Sequence, residues 1–232
     1  MMLLEVCVDD PLGLAEAVAG GADRVELCAA LGVGGLTPSA GLMGVAAGCG
    51  VPCHVMIRPR AGGFEWNAAE VAVMRADIRT AGTAGMAGVV LGAARGGRLD
   101  LGVLADLVAE AQGMDLTLHR VIDLLADVRA AVEEAVALGF TRVLSSGGAR
   151  VAHEGVGRLG LMMQVAGGRL SVMPGSGVTA DTWPLLAGLG VREVHASCAV
   201  AAGGVADALG FVRGGERRCD GRLVAGLKAV LG

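Results

Sequence analysis

The sequence predicts a single α/β domain, residues 1–232, folded as a (β/α)8 TIM barrel. Along all 232 residues, eight short apolar runs alternate with longer Ala/Leu/Val-rich segments, and the runs begin 20 to 34 residues apart. Each interval holds one strand, one crossover helix and two loops, which is the unit that builds parallel sheets. Eight such units fit a barrel of about 250 residues. A doubly wound sheet typically has fewer strands, and no linker marks a second domain, so the barrel is the preferred prediction.

The eight apolar runs are the predicted strands. In chain order they span residues 3–8, 23–28, 53–58, 87–91, 115–119, 142–146, 170–173 and 193–197. The segments between them have the period of a helix with one apolar face. One such face consists of Ala130, Val132, Ala135, Val136 and Leu138.

A weak internal repeat supports the alternation of helices and strands. Four glycines each lie four residues before a valine that belongs to a predicted strand; these are Gly21, Gly85, Gly139 and Gly190. A glycine at the end of a helix can adopt the left-handed conformation that turns the chain into the next strand. We therefore expect positive φ angles at these four positions.

Composition and charge exclude several classes of protein. With 53% hydrophobic and 18% charged residues, the chain can bury enough surface to fold, so it is not disordered. A net charge of −4 argues against a nucleic-acid partner, which would need a basic face. The longest stretch without charged residues, 29–57, is interrupted by glycines and prolines, which predicts no membrane span. The first residues include no basic region of a secretory signal, so we expect a cytoplasmic protein with six reduced cysteines.

Polar side chains occupy one face of several predicted strands. Strands buried on both faces are usually apolar throughout, and helices cover the outside of a barrel, so the polar faces should point inward. This alternation places six titratable side chains in one lumen: Glu5, Glu26, His54, Arg58, His119 and His195. A hydrogen-bonded ion-pair plug in the lower barrel, formed by Glu5, Arg24 and Glu26, is the structural alternative to a functional site.

The C-terminal ends of the strands carry the residues expected of an enzyme, because barrel enzymes place their chemistry there. The candidate anion-binding residues are Arg58, Arg60, Arg120, Ser146, Gly175, Ser176, Gly177 and Ser197. The Gly-Ser-Gly turn follows the seventh strand, which is the usual phosphate position of this fold. The candidate catalytic residues are Glu26, His119 and Asp123. His119 could act as general acid or base near neutral pH, with Asp123 orienting it or neutralising Arg120.

Two cysteines suggest a different chemistry. Cys7 and Cys28 end adjacent predicted strands on the inward face, and neighbouring strands lie about 4.8 Å apart, so the two sulfurs could meet. Paired thiolates with a methionine or histidine nearby suit Cu(I). The alternative is that both cysteines are small buried apolar residues. The long segment 198–222 is predicted to be either a mobile flap over the site or a disordered excursion.

At this point the sequence resembles a known family, the copper homeostasis protein CutC. The motifs that carry the resemblance are LEVC (4–7), GADRVELC (21–28), GGLTPS (34–39), IRPR (57–60), LHRVID (118–123), RVLSSG (142–147) and GSG (175–177). The resemblance implies a TIM barrel, a cytoplasmic location, a homodimer or small homo-oligomer, and copper binding through Cys7 and Cys28. The chain departs from the family pattern at Gly63, where the family usually has an acidic residue. If that acid contacts a ligand or metal, its role is lost here or taken by Glu65.

Two functions remain open at this level. The leading hypothesis is a cytoplasmic copper-handling protein that binds Cu(I) through Cys7 and Cys28. The rival is a barrel enzyme that acts on a small anionic metabolite, phosphorylated or not, at the same end of the barrel. On physical grounds the rival has weight, because two thiols do not explain why arginines and histidines converge on the same place.

Overall fold

Eight parallel strands form the centre of the protein. A computed structural model describes residues 2–202 and 217–232. The strands are β1 (Leu3–Val8), β2 (Arg24–Leu27), β3 (Cys53–Met56), β4 (Gly88–Leu91), β5 (Asp115–Leu118), β6 (Arg142–Ser145), β7 (Ser171–Pro174) and β8 (Glu193–Ala196). All eight predicted strands are confirmed, each with ends within two residues of the predicted ones.

The strands are hydrogen-bonded in the order β8-β1-β2-β3-β4-β5-β6-β7, and every pair is parallel. The two end strands, β7 and β8, lie side by side, so the sheet curls into a nearly closed cylinder. This confirms the predicted TIM barrel. The register sets Glu5 opposite His195 and Cys7 opposite Glu26. Inward-facing polar residues from neighbouring strands are therefore adjacent.

Helices follow the strands and cover the barrel. They are α1 (Pro11–Ala19), α2 (Ala40–Ala46), α3 (Ala68–Thr83), α4 (Leu101–Glu110), α5 (Val128–Ala137), α6 (Val156–Ala166), α7 (Pro184–Ala187) and α8 (Gly221–Leu231). Side-chain caps begin several of them; Asn67, for example, caps α3 in a reciprocal pair with Glu70. In α5 the buried stripe includes the predicted Val132 and Ala135. In the described part of the chain, no helix has both the length and the apolar character needed to cross a membrane.

The repeated glycines have the predicted conformation. Their φ angles are +92° at Gly21, +76° at Gly85, +85° at Gly139 and +70° at Gly190. This left-handed geometry strains any residue with a Cβ, so glycine ends the helix and lets the chain enter the next strand.

The segment after β8 forms a small hairpin over one side of the barrel mouth. Ala199–Ala201 pairs antiparallel with Arg217–Cys219, and α8 begins soon afterwards at Gly221. The predicted flap or disordered excursion, 198–222, falls largely on residues 203–216, which lie outside the described residues. The described parts of that segment are the two paired strands and the start of α8.

Candidate functional site

Ion pairs fill the lower part of the barrel. Arg24 pairs with Glu5 and, at 2.6 Å, with Glu193. Arg142 Nε lies 3.3 Å from Glu193 Oε2, so two arginines and two glutamates alternate in one buried layer. The predicted plug is thus present for Glu5 and Arg24. Buried charges of this kind are tolerated only when each is paired, and here each is.

His54 belongs to this plug. Arg142 Nη1 donates toward His54 Nδ1 at 3.4 Å, and His54 Nε2 lies 3.6 Å from Asp115 Oδ2. Burial lowers the pKa of His54 to about 4, and the positive charges of Arg24 and Arg142 act in the same direction. His54 is therefore a neutral structural side chain at physiological pH.

A second cluster lies above the plug, toward the C-terminal ends of the strands. Cys7, Glu26 and His195 are all buried, and each offers one ligand atom within 4.8 Å of the other two. His195 Nδ1 lies 2.8 Å from Glu5 Oε1, a contact that leaves Nε2 facing the cluster. Three donors on adjacent strands, with a carboxylate holding the far side of the histidine, form an arrangement that can bind a metal ion.

Burial and neighbouring charges both shift the pKa values of the side chains in this cluster. Burial raises the pKa of Glu26. Burial alone would lower the pKa of His195, but Glu26, Cys7 and the hydrogen bond to Glu5 raise it well above its ordinary value. Glu26 Oε1 is buried and has no hydrogen-bond partner among the described residues. An unsatisfied buried oxygen costs free energy, which a bound cation or ligand donor would recover.

Cys28 lies at the side of the cluster rather than within it. Its thiol donates to Glu26 Oε2 at 3.5 Å, and its side chain packs with Met56 and Val90. Burial, followed by the charge of Glu26, raises the pKa of Cys28 well above its ordinary value. The predicted pairing of Cys7 and Cys28 on one metal ion stays a prediction; in the described residues the group that lies within metal-ligand distance joins Cys7 to Glu26 and His195.

The cluster forms one wall of a cavity of about 750 Å³ at the barrel mouth. The predicted site residues that line it are Cys7, Glu26, Arg58, His119, Arg120, Ser176, Gly177 and Ser197. Apolar side chains complete the wall, among them Leu31, Met56, Phe64 and Leu144. A volume of this size fits a small organic molecule. The structure thus brings the thiol, acid, imidazole and guanidinium groups to one place, as the strand alternation predicted.

His119 is not the near-neutral acid or base predicted from the sequence. Burial lowers its pKa to about 3, and the charge of Arg58 lowers it further. The backbone N–H of Val121 donates to His119 Nδ1 at 3.1 Å, so the neutral ring carries its proton on Nε2. His119 is therefore a neutral imidazole at neutral pH: it offers a hydrogen-bond donor at Nε2 and lacks the acidic proton of an imidazolium.

Asp123 takes the second of its two predicted roles. Its carboxylate accepts hydrogen bonds from Arg120 Nε at 2.9 Å and from the backbone N–H and the hydroxyl of Ser146, each at 3.0 Å. It also accepts from Ser145 Oγ and from the Gly148 N–H. Although burial opposes it, this set of donors lowers the pKa of Asp123. Asp123 and Ser146 are absent from the cavity wall, and they hold Arg120 in place at its edge.

Two other predicted anion-binding residues, Arg60 and Gly175, do not line the cavity. Arg60 pairs with Glu70 and stacks 4.7 Å from the centre of the Trp66 ring, on the outside of the mouth. Gly175 is required for packing, because a Cβ there would lie 2.4 Å from Leu144 Cδ1. Of the Gly-Ser-Gly turn, only Ser176 and Gly177 reach the cavity.

Some participants in the site carry little signal in the sequence. Strand alternation places His195 in the lumen, two residues before Ser197 on the same inward face, but does not mark it as a metal ligand. Phe64, which packs on both Arg58 and His119, gave no periodic signal because it lies in a loop. Glu65 does not replace the acid missing at position 63, since it is exposed and lies 3.8 Å from Arg95.

Comparisons with known proteins agree with this architecture. A family model described as the CutC family matches residues 2–200. A family protein CutC from Sinorhizobium medicae is 53% identical over 235 residues, covering 99% of this chain and 96% of that protein. A solved structure named for copper homeostasis, CutC from Streptococcus agalactiae, has a TM-score of 0.81 at 32% identity and covers 85% of this chain and 99% of its own. Thiamine phosphate pyrophosphorylase from Pyrococcus furiosus, with a TM-score of 0.64, 13% identity and coverage of 99% and 95%, shows the fold alone.

Proposed function

The chain belongs to the CutC family, and from that premise we propose that it is a cytoplasmic copper-handling protein that binds Cu(I) at the mouth of its barrel. The observation that carries the proposal is the buried group of Cys7, Glu26 and His195, whose ligand atoms lie within 4.8 Å of one another. The copper assignment is supported by the name of the solved Streptococcus agalactiae relative.

The chemistry of the donors fits a soft or borderline ion. A cysteine thiolate and a histidine nitrogen are ligands that Cu(I) accepts, and Glu5 holds His195 so that Nε2 faces the thiol. Cys28, 3.5 Å from the Glu26 carboxylate, is close enough to the group to supply a second thiol. A carboxylate is a harder ligand, so a site that uses Glu26 would suit Zn²⁺ better than Cu(I).

An anaerobic Cu(I) titration against a competing chelator tests this proposal. Cys49 Sγ lies 3.4 Å from Cys53 Sγ away from the cavity, and that pair could bind copper itself, so the titrations use a Cys49→Ser background. In that background, Cys7→Ser and His195→Gln should each lose most of the affinity, and Cys28→Ser should lose part of it. Equal affinities in the parent and in both cysteine variants would reject the proposal. Tighter Zn²⁺ than Cu(I) binding would assign the site to zinc.

A second candidate function is supported by the cavity itself. A volume of about 750 Å³ is far larger than one ion needs, and polar and apolar groups share its wall. We therefore also propose an enzyme that acts on a small anionic metabolite in this cavity. Metabolite extracts incubated with the protein, and compared with a Glu26→Gln variant by mass spectrometry, should show one compound consumed by the parent alone; unchanged extracts would count against it. Assembly into a homodimer or small homo-oligomer also remains a proposal.

A further inference from the structure

Two buried hydrogen-bond donors at the cavity have no partner among the described residues. They are Arg58 Nε and His119 Nε2. Both side chains line the cavity, and both are at least nine-tenths buried, with 6% and 4% of their surfaces exposed. Buried N–H groups are nearly always paired in folded proteins, so two unpaired ones in the wall of one cavity indicate that a bound group pairs with them.

Each donor is fixed in place by its own neighbours. The Val121 N–H occupies His119 Nδ1, which leaves the proton on Nε2. Arg58 Nη1 donates to the carbonyl oxygens of Val33 (2.9 Å) and Gly35 (3.1 Å), and Nη2 donates to the carbonyl of Gly62 (2.9 Å). These contacts use the two terminal nitrogens and leave Nε free.

The charge of Arg58 is not compensated within the described residues. Its three acceptors are neutral carbonyl oxygens, and burial and the nearby Arg60 both lower the pKa of its guanidinium. Arg24, Arg120 and Arg142 differ from it, because each pairs with a carboxylate. A buried cation without a counter-charge is costly, and a bound anion is the usual remedy.

We propose that the cavity binds an organic monocarboxylate, whose carboxylate group accepts hydrogen bonds from Arg58 Nε and His119 Nε2. This deepens the second candidate function and rests on it only for the location of the ligand. The ring of Phe64 packs 4.9 Å from the Arg58 guanidinium and 4.8 Å from the His119 ring. Phe64 is half-buried in the cavity wall. The proposal requires its side chain to move aside so that the carboxylate reaches both donors.

The number and charge of the donors favour a carboxylate over a phosphate. Two N–H groups match the two oxygens of a carboxylate, and a single negative charge balances the single charge of Arg58. A phosphate carries more charge and is usually bound by the first N–H groups of a helix. Here the loop after β7 leads to α7, which has only four residues, and the Gly175 N–H is already bonded to the Ser145 carbonyl. The apolar part of the cavity wall is left for the body of the ligand.

Isothermal titration calorimetry with acetate, pyruvate and benzoate, and with inorganic phosphate and sulfate for comparison, tests the proposal. The parent protein should bind the carboxylates, benzoate most tightly because of the apolar wall. His119→Asn is the principal variant: asparagine is a good N-cap and can still accept from the Val121 N–H, but its amide is too short to reach the position of Nε2. Benzoate should bind this variant roughly tenfold or more weakly, as expected for a lost bond to a charged group.

Two further variants separate this proposal from the others. Arg58→Gln should abolish benzoate binding, and Arg75→Gln, in a surface pair with Glu110, should leave it unchanged. Cys7→Ser should lose Cu(I) but keep benzoate, and His119→Asn should do the reverse, so failure of one proposal is distinguishable from failure of the other. Absence of carboxylate binding to the parent, equal binding to His119→Asn, or tighter binding of phosphate than of benzoate would each overturn the assignment.

Discussion

His195 Nδ1 lies 2.8 Å from Glu5 Oε1, on the strand next to it. Glu5 also pairs with Arg24, so one carboxylate connects the ion-pair plug below to the cysteine–histidine group above. This contact determines which nitrogen of His195 faces the cavity. The ion-pair plug therefore orients the histidine of the candidate metal site in the absence of a bound ion.

The substitution Glu5→Gln should weaken both the site and the fold. The amide keeps an oxygen toward His195 but removes the negative charge beside Arg24, which should cost about 3 kcal/mol of unfolding free energy. Metal affinity should fall roughly 10- to 100-fold, as for other lost partners of a metal-binding histidine. Urea denaturation and chelator competition measure the two effects. Glu70→Gln, which breaks the surface pair with Arg60, should change stability by less than about 1 kcal/mol and leave metal affinity alone; equal effects of the two variants would contradict this interpretation.

The barrel could be predicted from the sequence because its signal repeats. Eight apolar runs, the polar alternation within them and the four glycines before the strands each report on the same unit. The positive φ of Gly139, for example, follows from a requirement that is local to a helix end. The inward placement of Glu26 and His195 followed equally from strand periodicity.

The chemistry of the site could not be predicted in the same way, because it depends on distances between side chains. Arg58 and Arg60 are two residues apart and look equivalent in sequence. Only the fold shows that Arg60 forms an ion pair with Glu70 on α3, whereas Arg58 donates to neutral carbonyl oxygens. Likewise, the basicity of His119 is decided by burial and by the charge of Arg58, neither of which the sequence displays.

Gly92→Ala should destabilise the protein and disturb His119. A Cβ at position 92 would lie 2.4 Å from His119 Cε1 and 2.8 Å from Val121 Cγ1. Because the bond to the Val121 N–H holds the ring, the overlap should cost roughly 1–3 kcal/mol. The matched control is Gly226→Ala in α8, where nothing lies within 4 Å of the new methyl group and stability should rise by roughly 0.5–1 kcal/mol. Urea unfolding compares the two variants, and a neutral Gly92→Ala would show that the ring is free to move.

Asp123→Asn should act mainly on stability. The two oxygens of the carboxylate accept bonds from the Arg120 guanidinium, two serine hydroxyls and two backbone N–H groups. In asparagine an NH2 group replaces one of these oxygens, and it cannot accept the bonds made to that oxygen. A loss of about 2–3 kcal/mol is expected from urea denaturation. Asp127→Asn, at the N-cap of α5, should be close to neutral because asparagine caps as well as aspartate. Unchanged stability in Asp123→Asn, together with lost turnover of a substrate, would instead restore the catalytic role predicted from the sequence.

His54 should make the protein less stable as the pH falls from 6.5 to 4. Burial lowers the pKa of the folded histidine to about 4, whereas the unfolded one titrates near 6.5. Between these values the unfolded chain binds a proton that the folded protein does not, so the unfolding free energy falls with decreasing pH, by up to roughly 3 kcal/mol at pH 4. The substitution His54→Gln keeps an oxygen that can accept from Arg142 and removes the titrating group. Urea denaturation at several pH values should therefore give a shallower pH dependence for the variant. Parallel curves for the two proteins would show that His54 binds its proton equally in the folded and unfolded states, which would contradict the lowered pKa.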